Sequence, residues 1–380
     1  MFFLLDIKYS IKFKMSFLYT SSLILLKNTV LTNKILYEYN VKAKEEYMKK
    51  FLTIILLIVF SSFSLLMVGC SNNDKTIRVN EVTHSIFYAP LYVAINKGYF
   101  QEEGYKIELT NGGGSDASMT ALLSGGADIA LMGPETNVYV ISQGKTDYPM
   151  IFGQLTKRDG SFLVGRTQET NFSWSNLKGK EIIAGRRGGS PAMSLQYALE
   201  KNGLNISTDL TFNLDVAFNM TVGAFEGGVG DYVTMFEPTA SEFQKAGKGY
   251  IVASVGEESG EIPFTCFSAN KSYIQKNKDL CEKFLKSVVR AYNFIMSGDI
   301  EEVVDALIPS FDGSSRDSIK SAITSYKNID AWVSNPAMTS DSFTRLKQML
   351  TNAGELTSDV AFDLSVDNTI ANQVMTKYFA

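Results

Sequence analysis

Imidazole and thiol chemistry is scarce in this chain. It has one histidine, His84, and three cysteines, Cys70, Cys266 and Cys281, in 380 residues. Zinc sites and Ser-His or Cys-His catalysis draw on those side chains, so such chemistry would have to pass through a single imidazole. Three cysteines also rule out a disulfide scaffold. Gly188-Gly189-Ser190-Pro191-Ala192 approaches a nucleophile elbow but lacks its last glycine. Gly223 to Gly230 is rich in glycine without the spacing or preceding strand of a dinucleotide loop. No nucleophile, metal cluster or cofactor loop is required by these residues. The chain reads as a binding module with no cofactor, no metal and no catalytic group.

The residues suited to binding sit in loops that follow short apolar runs. Tyr88, beside Phe87, could stack on a flat ligand, or Phe87 packs in the core and Tyr88 alone faces a cleft. Ser115 ends the loop Gly112-Gly113-Gly114 at the start of a helix, where free N–H groups and the helix dipole favour an anion or acceptor. The plainer reading is a flexible turn. Glu135 and Thr136 follow Gly133-Pro134; Glu135 could accept from a ligand amino group or simply cap its helix. Arg187, Gly189 and Ser190 belong to Arg186-Arg187-Gly188-Gly189-Ser190-Pro191, the strongest anion-binding pattern in the sequence. Its arginines could equally be solvated surface. Asn219 begins a later helix, and Glu237 precedes Pro238, as a cleft acceptor, a hinge support or a first-turn cap.

These loops need a scaffold that alternates strand and helix. Strands are expected at 76–83, 105–110, 128–132, 181–184, 210–214 and 232–235, with a crossing strand at 161–165 and a return strand at 262–268. Helices are expected at 87–97, 116–124, 135–143, 191–201, 216–225 and 238–246, with Gly98 and Pro191 as natural punctuation. After residue 268 the pattern turns helical, at 279–296, 300–307, 316–326 and 340–350. Repeated β-loop-α units predict mainly parallel sheets with helices on both faces, and their restart predicts two α/β lobes with a hinge. The lobes divide as 76–162 with 263–380, and 163–262 including the hinge strands. Ligands of open α/β sheets bind at the carboxyl ends of strands, which is where the loops above fall. Charged residues make up 20% and the net charge is −4, without a long basic run, so nucleic acid is not expected as a partner.

Four stretches resemble the ABC-importer binding proteins for nitrate, sulfonates, taurine and thiamine-precursor pyrimidines. They are Tyr88-Ala89-Pro90-Leu91-Tyr92-Val93-Ala94 continuing through Lys97-Gly98-Tyr99-Phe100, then Ala121 to Ala130, Leu177-Lys178-Gly179-Lys180, and Phe236-Glu237-Pro238. The resemblance implies a type II periplasmic-binding-protein fold of two lobes that close on a small solute by hinge motion. It implies a monomer that delivers an aminopyrimidine-like or sulfonate- or nitrate-like solute to permease and ATPase subunits. In sulfonate binders of this kind a serine- or threonine-containing turn at the place of Ser190 holds the acid group. The alternatives are a pyrimidine synthase-like enzyme, whose implied iron-binding histidines and cysteine-rich motif have no counterpart here, and a sensor or adhesin that uses the same fold.

The amino-terminal stretch has a separate reading. Met48-Lys49-Lys50, the apolar run 51–60 and Leu65-Leu66-Met67-Val68-Gly69-Cys70 form the n-region, h-region and cleavage site of a secretory signal peptide spanning 48–69. The end resembles a bacterial lipobox, with Met67 where Leu is usual. That resemblance implies cleavage before Cys70, lipidation of Cys70 and an extracytoplasmic, membrane-anchored protein on a tether at 70–75. Residues 1–47 fit neither lobe nor signal and are expected to be upstream sequence.

Overall fold

The computed structural model describes residues 75–356 and 358–380, with Lys44 and Met48 as isolated positions. The expected upstream extension, signal peptide, lipidated Cys70 and tether lie outside this stretch, except that Lys75 opens the first strand. No helix of the described residues is long and apolar enough to cross a membrane.

Ten strands run β1 (Lys75–Glu81), β2 (Tyr105–Asn111), β3 (Ile129–Met132), β4 (Pro149–Thr156), β5 (Ser161–Gly165), β6 (Glu181–Ile183), β7 (Thr211–Asn213), β8 (Tyr232–Phe236), β9 (Tyr250–Ser254) and β10 (Thr265–Asn270). They form two five-stranded sheets, ordered β2-β1-β3-β10-β4 and β7-β6-β8-β5-β9. The two orders match position for position. In the first sheet β10 lies antiparallel between β3 and β4. In the second, β5 lies antiparallel between β8 and β9. The remaining pairs are parallel, as β-loop-α units require, so each sheet is mainly parallel with one inserted strand. Val79 shows how the centre is built: it pairs with Leu109 on one side and Ile129 on the other, and it is fully buried.

Strands β4 and β9 are additional to those expected, although the Tyr250-Ile251-Val252-Ala253 run of β9 carries a strand signature. Pro149, Gly153 and Gln154 interrupt the apolar run of β4, yet all eight of its residues are buried. Gly153 is there because a Cβ would lie 2.5 Å from Leu285 Cδ2, so the helix Lys278–Ser297 can press flat on the sheet. The single helix expected over 87–97 is a 3-10 turn at Ile86–Tyr88 and a helix at Ala89–Asn96. The turn lets Ser85 Oγ accept from the Phe87 N–H at 3.2 Å and turns Tyr88 inward. Ser161 and Phe162, assigned to the first lobe on sequence, pair with Phe236 and Met235 in the second sheet.

The chain passes between the sheets twice, and the two passages are bonded to each other. Phe264 N–H donates to Thr156 O at 3.1 Å, and Ile262 N–H donates to Lys157 O at 2.9 Å. That use of Ile262 moves the return strand's start from the expected 262 to Thr265. The hydroxyls of Thr156 and Thr265 meet at 2.5 Å. Tyr326, on the helix Arg316–Asn328, donates to Gly160 O at 3.1 Å and accepts from Glu237 N–H at 2.8 Å. Asp159 is fully buried in the first passage, where its Oδ1 accepts from Ser161 N–H at 2.7 Å and its Oδ2 has no hydrogen-bond partner. Burial pushes its carboxyl from an ordinary 3.8 up to about 7 against the pull of the Ser161 bonds.

Two tests bear on this crossing. A Cβ on Gly256 would lie 2.0 Å from the Asp159 backbone oxygen, which no side-chain motion relieves. Gly256→Ala is expected to cost about 1–3 kcal/mol in chemical denaturation, and an unchanged midpoint would show the passage to be loosely held. Because the folded state holds the Asp159 proton up to about 7 and the unfolded chain releases it near 3.8, stability from this group falls as pH rises across that interval. Asp159→Asn is expected to flatten that decline in melts taken from pH 4 to 7; equal slopes in both proteins would refute the assignment.

Candidate functional site

The carboxyl ends of strands from both sheets face one cavity. It is lined by Val82 after β1, Ser115 after β2, Gly133 and Glu135 after β3, and Thr265 at the start of β10. The second sheet contributes Ala184, Arg186, Gly189 and Ser190 after β6, and Phe236 at the end of β8. Tyr88, Phe218 and Phe264 add aromatic walls. The cavity measures about 30 Å³, which is room for about two waters. A ring-sized solute therefore enters only with the sheets further apart. A larger depression of about 630 Å³ lies elsewhere, lined by Arg187, Gln196, Leu204, Phe212 and Glu355 among others. It touches strand ends of the second sheet alone, at Leu214 and Arg187, and the smaller cavity is the better candidate because polar groups from both sheets converge there.

Glu135 is the cavity's charged centre. It is 1% exposed, at the first turn of the helix Glu135–Ser142. Its carboxylate folds back over Gly133, where a Cβ would sit 2.0 Å from Oε2, so only glycine admits this arrangement. The Gly133 N–H in turn donates to Ser115 Oγ at 3.1 Å, fixing one loop against the other. Glu135 Oε2 accepts from Ser190 Oγ at 2.6 Å across the gap between sheets. Oε1 is buried and has no hydrogen-bond partner. Burial raises this carboxyl above its ordinary value, while the Ser190 bond and the charge of Arg186 oppose the rise. Burial also holds the Tyr88 phenol well above its usual range, so its hydroxyl keeps its proton.

The second sheet meets this centre through the helix Ser190–Lys201 and the loop before it. Tyr139 Oη donates to Gly188 O at 2.9 Å, and Arg186 Nε lies 3.4 Å from Asp116 Oδ1. One Arg186 N–H reaches Arg187 O at 3.2 Å, and the guanidinium otherwise faces the cavity. These contacts draw the two rims together.

Five of the residues singled out on sequence meet at the cavity: Tyr88, Ser115, Glu135, Gly189 and Ser190. Four do not line it. Thr136 turns its hydroxyl back to Gly133 O at 2.7 Å, as a first-turn threonine does. Arg187 lines the other depression, because neighbouring residues of the loop point to opposite sides; its neighbour Arg186 takes the cavity. Asn219 lies against Gly113, where a Cβ would be 3.2 Å from its Nδ2, while Phe218 reaches the cavity. Glu237 is buried but spends both oxygens on the next helix, accepting from Ser241 N–H at 2.9 Å and Ser241 Oγ at 2.6 Å. Its first-turn capping role removes one of the two acids expected in the cleft. Sequence reasoning missed Phe264 and Thr265; their position at the start of an inserted strand was the available signal.

His84 is not part of the cavity. Its Nδ1 is 2.9 Å from Glu81 Oε1 and its Nε2 is 2.7 Å from Ser310 O, so both ring nitrogens face acceptors. The Glu81 bond raises its pKa.

Two mainly parallel five-stranded sheets, linked by two crossing passages and holding a cavity between their strand ends, make this a two-lobed periplasmic-binding-protein fold. Solved structures agree on the fold. The periplasmic nitrate-binding protein NrtA from Synechocystis PCC 6803 is 16% identical with a TM-score of 0.66, over 81% of this chain and 90% of that one. The ligand-binding component of an ABC-type import system from Staphylococcus aureus is 15% identical with a TM-score of 0.64, over 79% and 99%. Residues 86–299 match the family model described as NMT1/THI5 like, and the chain belongs to that family. "Putative binding protein YtlA" of Bacillus subtilis (strain 168) is 39% identical across 87% of this chain and its own full length. The 4-amino-5-hydroxymethyl-2-methylpyrimidine phosphate synthase of Aspergillus parasiticus is 25% identical across 62% of this chain and 71% of its own.

Ser190→Ala would strip Glu135 of its side-chain donor inside a closed cavity. The expected loss is about 1–3 kcal/mol near pH 7, shrinking at low pH as the carboxyl takes a proton. Thermal melts at the two pH values measure it; a variant as stable as the parent at both would deny the bond a structural role.

Proposed function

We propose that this chain is the extracytoplasmic solute-binding component of an ABC importer. It captures a small organic solute, aminopyrimidine-like or sulfonate- or nitrate-like, between its lobes and delivers it to the permease. The observation that carries this reading is the cavity at the facing strand ends, built from both sheets around a buried carboxylate oxygen without a partner. The kinship with a Bacillus binding protein over that protein's full length supports it. The arrangement suits capture, because the cavity lies between two sheets that the chain joins by two crossing passages, where hinge motion opens it. In this reading the signal-like stretch before Cys70 exports the chain and Cys70 carries the lipid that keeps it, as a monomer, beside the permease.

The synthase relative favours a second reading, a pyrimidine synthase-like enzyme. Against it stands the placement of the chain's one histidine, which is tied to Glu81 and Ser310 away from the cavity.

Solute binding is testable by thermal shift on purified protein freed of co-purified ligand. A ligand at about a hundred times its dissociation constant adds about 2.7 kcal/mol, hence several degrees in Tm. A shift with taurine, ethanesulfonate, nitrate or an aminopyrimidine is expected. Turnover of an aminopyrimidine without saturable binding would instead support the enzyme.

A further inference from the structure

Glu135 Oε1 is a strong acceptor with nothing to accept from. Its residue is 1% exposed, it lines the cavity, and its sister oxygen is already bonded to Ser190. A buried polar atom left unpaired is costly, so sites that carry one are completed by something else. The same cavity presents the Arg186 guanidinium, with five N–H donors of which one bonds Arg187 O and another lies at ion-pair distance from Asp116. With Glu237 spent on its own helix, the cavity faces a solute with one carboxylate and one guanidinium. Their charges cancel. A simple anion such as nitrate satisfies Arg186 but leaves Oε1 facing negative charge. A simple cation does the reverse.

We infer that Glu135 selects, within the solute-binding reading above, for a ligand that offers an N–H donor to Oε1 and an acceptor to Arg186. Amino-substituted nitrogen heterocycles and compact zwitterions carry both groups; nitrate and unsubstituted alkanesulfonates carry only the acceptor. Tyr88, Phe218, Phe236 and Phe264 supply faces for a ring between the two polar ends.

The test is calorimetry on the ligand-free full chain. The probes are taurine and 4-amino-5-hydroxymethyl-2-methylpyrimidine against nitrate and ethanesulfonate. The expected result is that a donor-bearing probe binds and that the two simple anions do not. Glu135→Gln, whose melt checks its folding, is expected to weaken the donor-bearing probe about tenfold or more. Arg186→Gln, which leaves the Glu135–Ser190 hydrogen bond in place, is expected to weaken it as well. Tight binding of nitrate or ethanesulfonate, or unchanged donor-probe affinity in Glu135→Gln, overturns the selection while leaving the solute-binding reading intact. Failure of all four probes on the parent protein counts against both.

Discussion

A carboxylate taken out of water needs compensation close at hand, and in this fold it comes from across the gap between two sheets. Glu135 belongs to one sheet's loops and Ser190 to the other's, and their bond is a buried polar contact between them. Desolvation alone would make such a group a liability of several kcal/mol. Its retention makes sense when closure and occupancy are parts of one event. The surrounding glycines follow from the same demand. Gly133 has no Cβ because the carboxylate lies over its Cα, and its N–H is spent on Ser115. An acid, an arginine and aromatic walls from the two sheets thus meet at one point.

That geometry depends on the chain's two passages. Each sheet has the same strand order, with one antiparallel strand inserted by a passage from the other. Inserting β5 and β10 in this way aims the carboxyl ends of both sets of parallel strands at a common space. The passages are bonded to each other at Thr156, Lys157, Ile262 and Phe264, and Tyr326 spans from Gly160 to Glu237. Asp159 is fully buried in the first of these passages, where burial raises its carboxyl pKa.

The candidate site was partly legible because strand-loop-helix order dictates which loops end up at the ligand face. Tyr88, Ser115, Glu135, Gly189 and Ser190 all follow strands directly or open helices, and the fold leaves such positions little choice. Glu237 obeyed the same rule yet turned to Ser241, since a first-turn carboxylate has a helix N-terminus as a competing partner. Between Arg186 and Arg187 the sequence offers no preference. Only the course of the loop through Gly188, at φ 68°, sends one side chain inward and the other out.

From the sequence alone came the alternation of strands and helices, the two lobes, the scarcity of histidine and cysteine and the loops that meet at the cavity. These rest on local periodicity and on side-chain inventory, which need no knowledge of distant contacts. Tertiary structure alone decided the rest. It showed β4 as a strand despite its proline, glycine and glutamine, because burial between neighbours outweighs local propensity. It decided which of two acids faces the cavity, which of two arginines does, and that one carboxylate oxygen is left without a partner. The last depends on Glu135 and Ser190, 55 residues apart along the chain, and no local pattern encodes a distance between them.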